Sequence, residues 1–189
     1  KITDYRDRST CVLFGDGAGA AILGAVPQGY GILASELGAQ GSGGSVLQMP
    51  AGGSLRPASI TSVEERQHYI KMHGSDVFKF AVRIMEEATK RVLAKGLDQV
   101  HWLVPHQANV RIISAAAARL GIPEERFFVN VDRYGNTSAA SIGLALDELA
   151  RSGNLKDGDY AVLVGFGAGL TWSALLIRWW VGGPKCDTA

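Results

Sequence analysis

Two of the 189 residues have the types and the spacing to work on a carbonyl group together. His106 lies in the run VPHQANV and Asn136 in YGNTSAAS. Each falls just after a predicted strand and just before a predicted helix. In α/β sheets the carboxyl ends of strands are where sites assemble. Standing 30 residues apart, they sit at the ends of consecutive strand–helix units and could be neighbours. Each offers an N–H donor. Two convergent donors can hold one carbonyl oxygen and stabilise it as it becomes an enolate. An ordinary loop histidine and an N-capping asparagine would fit the same positions. A third strand end, GFGAGLT, could turn the backbone N–H groups of Gly167, Ala168 and Gly169 into an oxyanion nest. A tight hairpin would use the same residues.

Other reactive types carry less. Cys11 lies inside the apolar run STCVLF and reads as a buried structural cysteine, because a catalytic thiolate favours an electropositive, partly exposed place. Cys186 is close to the end of the chain and reads as unrelated to chemistry. The two lack zinc spacing and do not suggest a disulfide framework. His68, His73 and His101 show no metal-ligand spacing, so no metal is expected. The serine-hydrolase pattern GxSxG is absent. Gly15, Gly17 and Ala20 of GDGAGA, with Glu36 further on, fit a loose dinucleotide pattern. Only AILGAV separates it from Pro27, too little for the helix whose N-terminus would face a pyrophosphate. These glycines instead predict close backbone packing or a bend in a strand.

The bulk properties narrow the class. The length predicts one domain or slightly more, and 47% apolar residues can build a substantial core. A net charge of +1, with no basic run and no interleaved aromatic patch, gives no reason to expect nucleic acid or an anionic membrane as partner. Apolar stretches such as SALLIRWWVGG are too short or interrupted to span a bilayer. No signal peptide is visible, and a reducing, cytoplasmic setting is the expectation. The chain opens KITDYRDRST without methionine, which suggests the later part of a longer protein.

The elements that must position these residues alternate. STCVLF and YGILASEL read as strands. Between Gly38 and Ser62 lies a Gly/Ser/Pro-rich loop of little periodicity, with Ser42, Ser45 and Ser54 as ordinary loop residues. Val77, Ala81, Ile84, Ala88 and Val92 recur at helical spacing, with Ser75 as N-cap and Gly96 as C′ residue. Glu86 with Lys90 and Glu87 with Arg91 form pairs on its solvent side. VHWLV is a strand. A helix near 109–120 should turn Val110, Ile113, Ala117 and Leu120 inward. FFVNV is a strand, and the helix after it is uncharged on every side from Thr137 to Leu146, so it should be buried on more than one face. YAVLVGF and LTWSALLIRWW are strands too close for a crossover, hence antiparallel. Strand–helix alternation predicts α/β with a mostly parallel sheet.

Taken together, FGDGAGAAIL, VPHQANVRIIS, GNTSAASI and GFGAGLTWSALLIRW resemble β-ketoacyl-(acyl-carrier-protein) synthase III, a thiolase-fold condensing enzyme, from about Arg8 to Trp179. The resemblance implies an α/β thiolase-like C-terminal half: a mixed sheet with flanking helices and an antiparallel final strand pair. Residues 1–28 would be the last strand or strands of the N-terminal half and 29–189 the C-terminal half. It implies acyl transfer from acyl-CoA, typically acetyl-CoA, to an active-site cysteine. Decarboxylation of malonyl-acyl carrier protein and attack of its carbanion then give the 3-oxoacyl product. His106 and Asn136 would hold the malonyl thioester carbonyl. Phe166 would stand near them, and the Ala168 N–H would complete an oxyanion hole where many relatives have glycine. Arg111 would dock the acidic carrier protein. Arg8, Gly74, Phe78, Ala108 and Asn109 would line the pantetheine and nucleotide tunnel.

The resemblance further implies no cofactor beyond the CoA and carrier-protein substrates, a homodimer, and cytoplasmic fatty-acid synthesis. The family's nucleophilic cysteine belongs to a half not seen in this sequence, so the chain alone is expected to be inactive and Cys11 not to become acylated. Two alternatives stand: a related condensing enzyme with another primer or in secondary metabolism, and a non-catalytic fragment that binds CoA or carrier protein.

Overall fold

The computed structural model describes residues 1–94 and 100–182. The expected C′ residue Gly96 and Cys186 lie outside the described residues. In chain order the elements are α1 (Arg8–Cys11), β1 (Gly31–Ala39), a 3-10 turn (Gly41–Val46), β2 (Leu47–Gln48), α2 (Ile60–Glu64), β3 (Lys71–Met72) and α3 (Gly74–Leu93). They continue with β4 (Trp102–Pro105), α4 (Val110–Leu120), a 3-10 turn (Glu124–Arg126), α5 (Val131–Tyr134), α6 (Ala140–Arg151), β5 (Tyr160–Gly167) and β6 (Thr171–Arg178).

The main sheet runs in the order β1-β6-β5-β4. Only β4 and β5 pair in parallel, while β1–β6 and β5–β6 are antiparallel. The sheet is therefore mixed, as the family resemblance implies, and not mostly parallel as alternation alone suggests. The hairpin between β5 and β6 reverses the chain, and β1 pairs with the reversed strand. α4 to α6 form the crossover that keeps β4 and β5 parallel.

Helices cover both faces. Period-2 alternation sends Leu103, Val162, Val164, Ala174 and Leu176 to one side, where α3 and α4 supply Ala81, Met85, Ala88, Ile113 and Ala117. Val104, Ala161 and Ile177 face the other side, where α6 supplies Ala145 and Leu149. A sheet buried on both faces explains why its strands read as continuous apolar runs. Truncating a core residue such as Leu103 removes about 2–5 kcal/mol.

α3 follows its periodicity, with Val77, Ala81, Ile84, Ala88 and Val92 all buried. Its N-cap is His73 rather than Ser75. The Glu86–Lys90 and Glu87–Arg91 pairs form at 2.8 and 3.9 Å. In α4, Ile113 and Ala117 turn inward as expected, but Val110 is exposed at the first turn and Ile112 takes the buried place.

Three sequence expectations change more. STCVLF does not continue as a strand: the Asp7 carboxylate accepts from the Ser9 N–H and starts the short helix α1, and only Phe14 makes a bridge, to Asn136. FFVNV bridges β4 at Phe127 alone before the chain turns into α5. The segment 38–62 carries regular structure in several places. Gln40 and Leu170 exchange backbone hydrogen bonds, β2 pairs with β3, and Ser59 and Ser62 form a capping box at α2. Its serines carry local backbone structure, which composition does not show.

The uncharged first part of α6, up to Leu146, is enclosed on two sides. The sheet takes Ala145 and, beyond that part, Leu149. The GDGAGA stretch takes the other side, where Gly19 lies so close that a Cβ there would meet the Gly143 Cα at 3.3 Å. Close backbone packing is what those glycines provide.

Candidate active site

His106 follows directly on β4, and its N–H donates to the Val164 carbonyl of β5 at 2.8 Å. The sheet thus sets its backbone. The next residue locks the turn. Gln107 is only 1% exposed. Its Nε2 donates to the carbonyls of Pro105 (2.9 Å) and Phe128 (3.0 Å), and its Oε1 accepts from the Asn130 N–H (3.0 Å). One side chain ties the end of β4 to the segment that leads into α5. The imidazole of His106 packs edge-on against Phe166, with ring centres 5.2 Å apart. Its Nδ1 lies 2.6 Å from the Ser141 Oγ of α6. Burial in this wall pulls the His106 pKa down to about 4, so the ring is neutral at neutral pH.

Asn136 is held from the opposite side. Its backbone N–H donates to the Leu13 carbonyl at 2.8 Å, and its carbonyl accepts from the Gly15 N–H at 3.0 Å. Gly15 has no room for a side chain, since a Cβ there would fall 2.0 Å from the Tyr134 carbonyl oxygen. The Asn136 Oδ1 accepts from the Ser138 N–H at 2.9 Å. That bond fixes the amide orientation, and the Nδ2 end makes no hydrogen bond to a described residue.

The third segment is the β5–β6 turn. Phe166 and Gly167 close β5, and Gly167 pairs with Thr171 across the hairpin. Ala168 is exposed in the turn, where its carbonyl accepts from the Thr171 Oγ1 at 2.9 Å. Among the described residues no hydrogen bond is made by its N–H.

These three segments surround one cavity of about 1150 Å³, although Asn136 follows the short helix α5 and not, as the sequence suggests, a strand. His106, Asn136, Phe166 and Ala168 all line it, and so do Gly74, Phe78, Ala108 and Asn109. The lining is mainly apolar, with a few convergent polar groups, as small-molecule sites are. Arg8 and Arg111 are exposed and do not line it. Arg111 stands in the first turn of α4, where the Asn109 side chain accepts from its N–H at 2.9 Å. Cys11 closes the short helix α1 outside the lining. Among the described residues no group of three or more His, Cys, Asp or Glu gathers as a metal site would need. No helix there is long and apolar enough to cross a membrane.

Sequence reading missed Gln107 and Ser141. The signal for Ser141 was a polar residue at the head of the apolar stripe that continues through Ala145 and Leu149, four and eight residues on. Gln107 had only its place beside His106.

Residues 94–179 match the family model for 3-oxoacyl-(acyl-carrier-protein) synthase III, C terminal, and residues 1–41 match the model for 3-oxoacyl-(acyl-carrier-protein) synthase III. The chain belongs to this synthase III family. It is 57% identical to the β-ketoacyl-(acyl-carrier-protein) synthase III of Desulfitobacterium hafniense over 182 residues, 95% of this chain and 55% of that relative. It is 56% identical to that of Caldanaerobacter subterraneus, with the same coverage. The structure of the Thermus thermophilus synthase superposes with a TM-score of 0.84 at 48% identity, covering 94% of this chain and 55% of that one. The chain thus spans about half the length of the relatives it matches, and its sheet and flanking helices are those of a thiolase-fold synthase.

Proposed function

We propose that this chain forms the decarboxylating part of an enzyme for the initiating condensation of fatty-acid synthesis. The reaction joins an acyl-CoA, acetyl-CoA foremost, to malonyl-acyl carrier protein and gives 3-oxoacyl-acyl carrier protein. The observation that carries the reading is the convergence of His106 and Asn136 on one apolar cavity, each with its acceptor atom already engaged or its charge suppressed.

The acyl group first resides on a cysteine thiol from the part of the synthase that this chain does not cover. The malonyl thioester enters with its carbonyl oxygen between His106 and Asn136. The bond to the carboxylate breaks, CO₂ leaves, and the electron pair passes through the α-carbon onto that oxygen. Two N–H donors stabilise the enolate as a unit, and removing either costs about 10²–10³ in rate. A neutral imidazole donates without giving up its proton, so the oxygen stays an enolate and returns its electron pair to carbon. The carbanion attacks the acyl thioester, a carbon–carbon bond forms and the cysteine thiolate leaves. The Ala168 N–H serves the oxyanion of that step. No cofactor takes part.

The same reading gives residues 1–28 to the first thiolase-like half and 29–189 to the second. It assigns Arg111 to carrier-protein docking, Arg8 with Gly74, Phe78, Ala108 and Asn109 to the substrate tunnel, a homodimer to the intact protein, and the cytoplasm as its compartment.

The test separates the two half-reactions in the intact synthase. His106→Ala should lower malonyl decarboxylation by about 10²–10³ while acyl transfer from acyl-CoA to the cysteine continues. Loss of acyl transfer with decarboxylation intact would refute the assignment.

A further inference from the structure

We infer that Ser141 is a positioning residue that decides which ring nitrogen of His106 carries the proton, leaving Nε2–H as the donor into the cavity. The inference deepens the proposed decarboxylation and rests on it only for its kinetic consequence.

A serine hydroxyl has one proton to donate and lone pairs to accept with. The Ser141 Oγ accepts from the Gln107 N–H at 3.2 Å. Its one other contact among the described residues is the His106 Nδ1 at 2.6 Å. Ser141 is only 2% exposed, so its proton is turned away from bulk solvent. If Nδ1 carried the ring proton and donated to Oγ, the hydroxyl proton would be buried without an acceptor, which native structures avoid. If the hydroxyl donates to Nδ1, every group is satisfied. The neutral ring then has its single proton on Nε2, which makes no hydrogen bond to a described residue. The burial that keeps the ring neutral is what makes the choice of nitrogen matter. With both nitrogens protonated, either could donate.

The order of donors is therefore Gln107 N–H to Ser141 Oγ, Ser141 O–H to His106 Nδ1, and His106 Nε2–H to the substrate carbonyl. Hydrogen bonds in such a chain polarise one another. Gln107 fixes the start of it, because its side chain holds the turn that carries its own N–H. The same stretch of chain serves both donors: Ser138 orients the Asn136 amide and Ser141 the His106 ring.

The test uses the intact synthase labelled with 15N-histidine. Two-bond proton–nitrogen correlation spectra show which ring nitrogen is protonated. The wild type should carry the His106 proton on Nε2 at neutral pH. Ser141→Ala, a small change that suits a helix, should move the ring toward the Nδ1–H form. It should lower the kcat of malonyl decarboxylation by about 10–100-fold, the usual cost of losing a partner that orients a ligating histidine, with KM little changed. Ser141→Thr, which keeps the hydroxyl, should restore both. An Nδ1–H ring in the wild type overturns the inference and needs no variant to be seen. So does an unchanged Nε2–H ring in a folded Ser141→Ala protein. If the tautomer behaves as stated but His106→Ala still decarboxylates, the proposed reaction falls and the positioning role of Ser141 stands.

Discussion

His106 and Asn136 face the same cavity but are held by opposite means. His106 is fixed by side chains: Gln107 locks its turn, Ser141 takes Nδ1, and Phe166 packs on its ring. Asn136 is fixed mainly by backbone, its N–H and carbonyl gripped by Leu13 and Gly15 from far earlier in the chain. The first arrangement depends on chemical groups that a substitution can delete. The second depends on the absence of a side chain at Gly15. A donor can thus be placed by adding polar atoms or by removing a carbon.

The largest effect should come from breaking the His106 side. Gln107→Leu takes the side-chain partner from the buried Asn130 N–H and Pro105 carbonyl and from the half-buried Phe128 carbonyl, at roughly 1–3 kcal/mol for an unsatisfied group and about 3–5 kcal/mol together. Chemical denaturation of the intact synthase measures this. A loss below 1 kcal/mol would mean the turn is held by something else.

Breaking the Asn136 side should cost somewhat less. Gly15→Ala puts a methyl against the Tyr134 carbonyl, and overpacking costs about 1–3 kcal/mol. The comparison sharpens here: decarboxylation should fall through Asn136 while the His106 ring signals stay in place. Shifted His106 signals with Asn136 unmoved would reverse the assignment of the two clamps.

The smallest effect near neutral pH, growing only on acidification, is a pH dependence peculiar to the His106 side. Its folded pKa is depressed from 6.5 to about 4 by burial, so below 6.5 the unfolded chain takes up a proton that the folded one refuses. Stability from this group is complete above pH 6.5 and is lost as pH falls toward 4, by at most about 3 kcal/mol at ~1.4 kcal/mol per unit. His106→Gln should flatten that part of the stability–pH curve. Asn136→Ala should not.

The difference between the two clamps also marks what the sequence makes legible. β5, β6, α3 and α6 announce themselves, because their apolar periods are long and uninterrupted. His106 and the β5–β6 turn do fall at strand ends, whereas Asn136 follows the short helix α5 and a single bridge to Phe14, so the expected strand before it is not what places it. The strand expected through Ser9–Phe14 is not legible, because Asp7 caps a helix there and pairing is confined to Phe14. The grip of residues 13–15 on Asn136 joins positions more than 120 apart, and no local pattern reports it. The mixed order of the sheet is hidden too, since β1 pairs with β6 from the far end of the chain. Ser141 gives no local sign of its partner, because His106 stands 35 residues away.

The central claim is that His106 and Asn136 act on one oxygen. A double-mutant cycle on malonyl decarboxylation tests it most directly, with His106→Ala, Asn136→Ala and the pair measured in the intact synthase. Groups that act as a unit are strongly non-additive. The double variant should therefore lose little more than the worse of the two single variants. Losses that simply multiply would mean that the two donors serve different atoms.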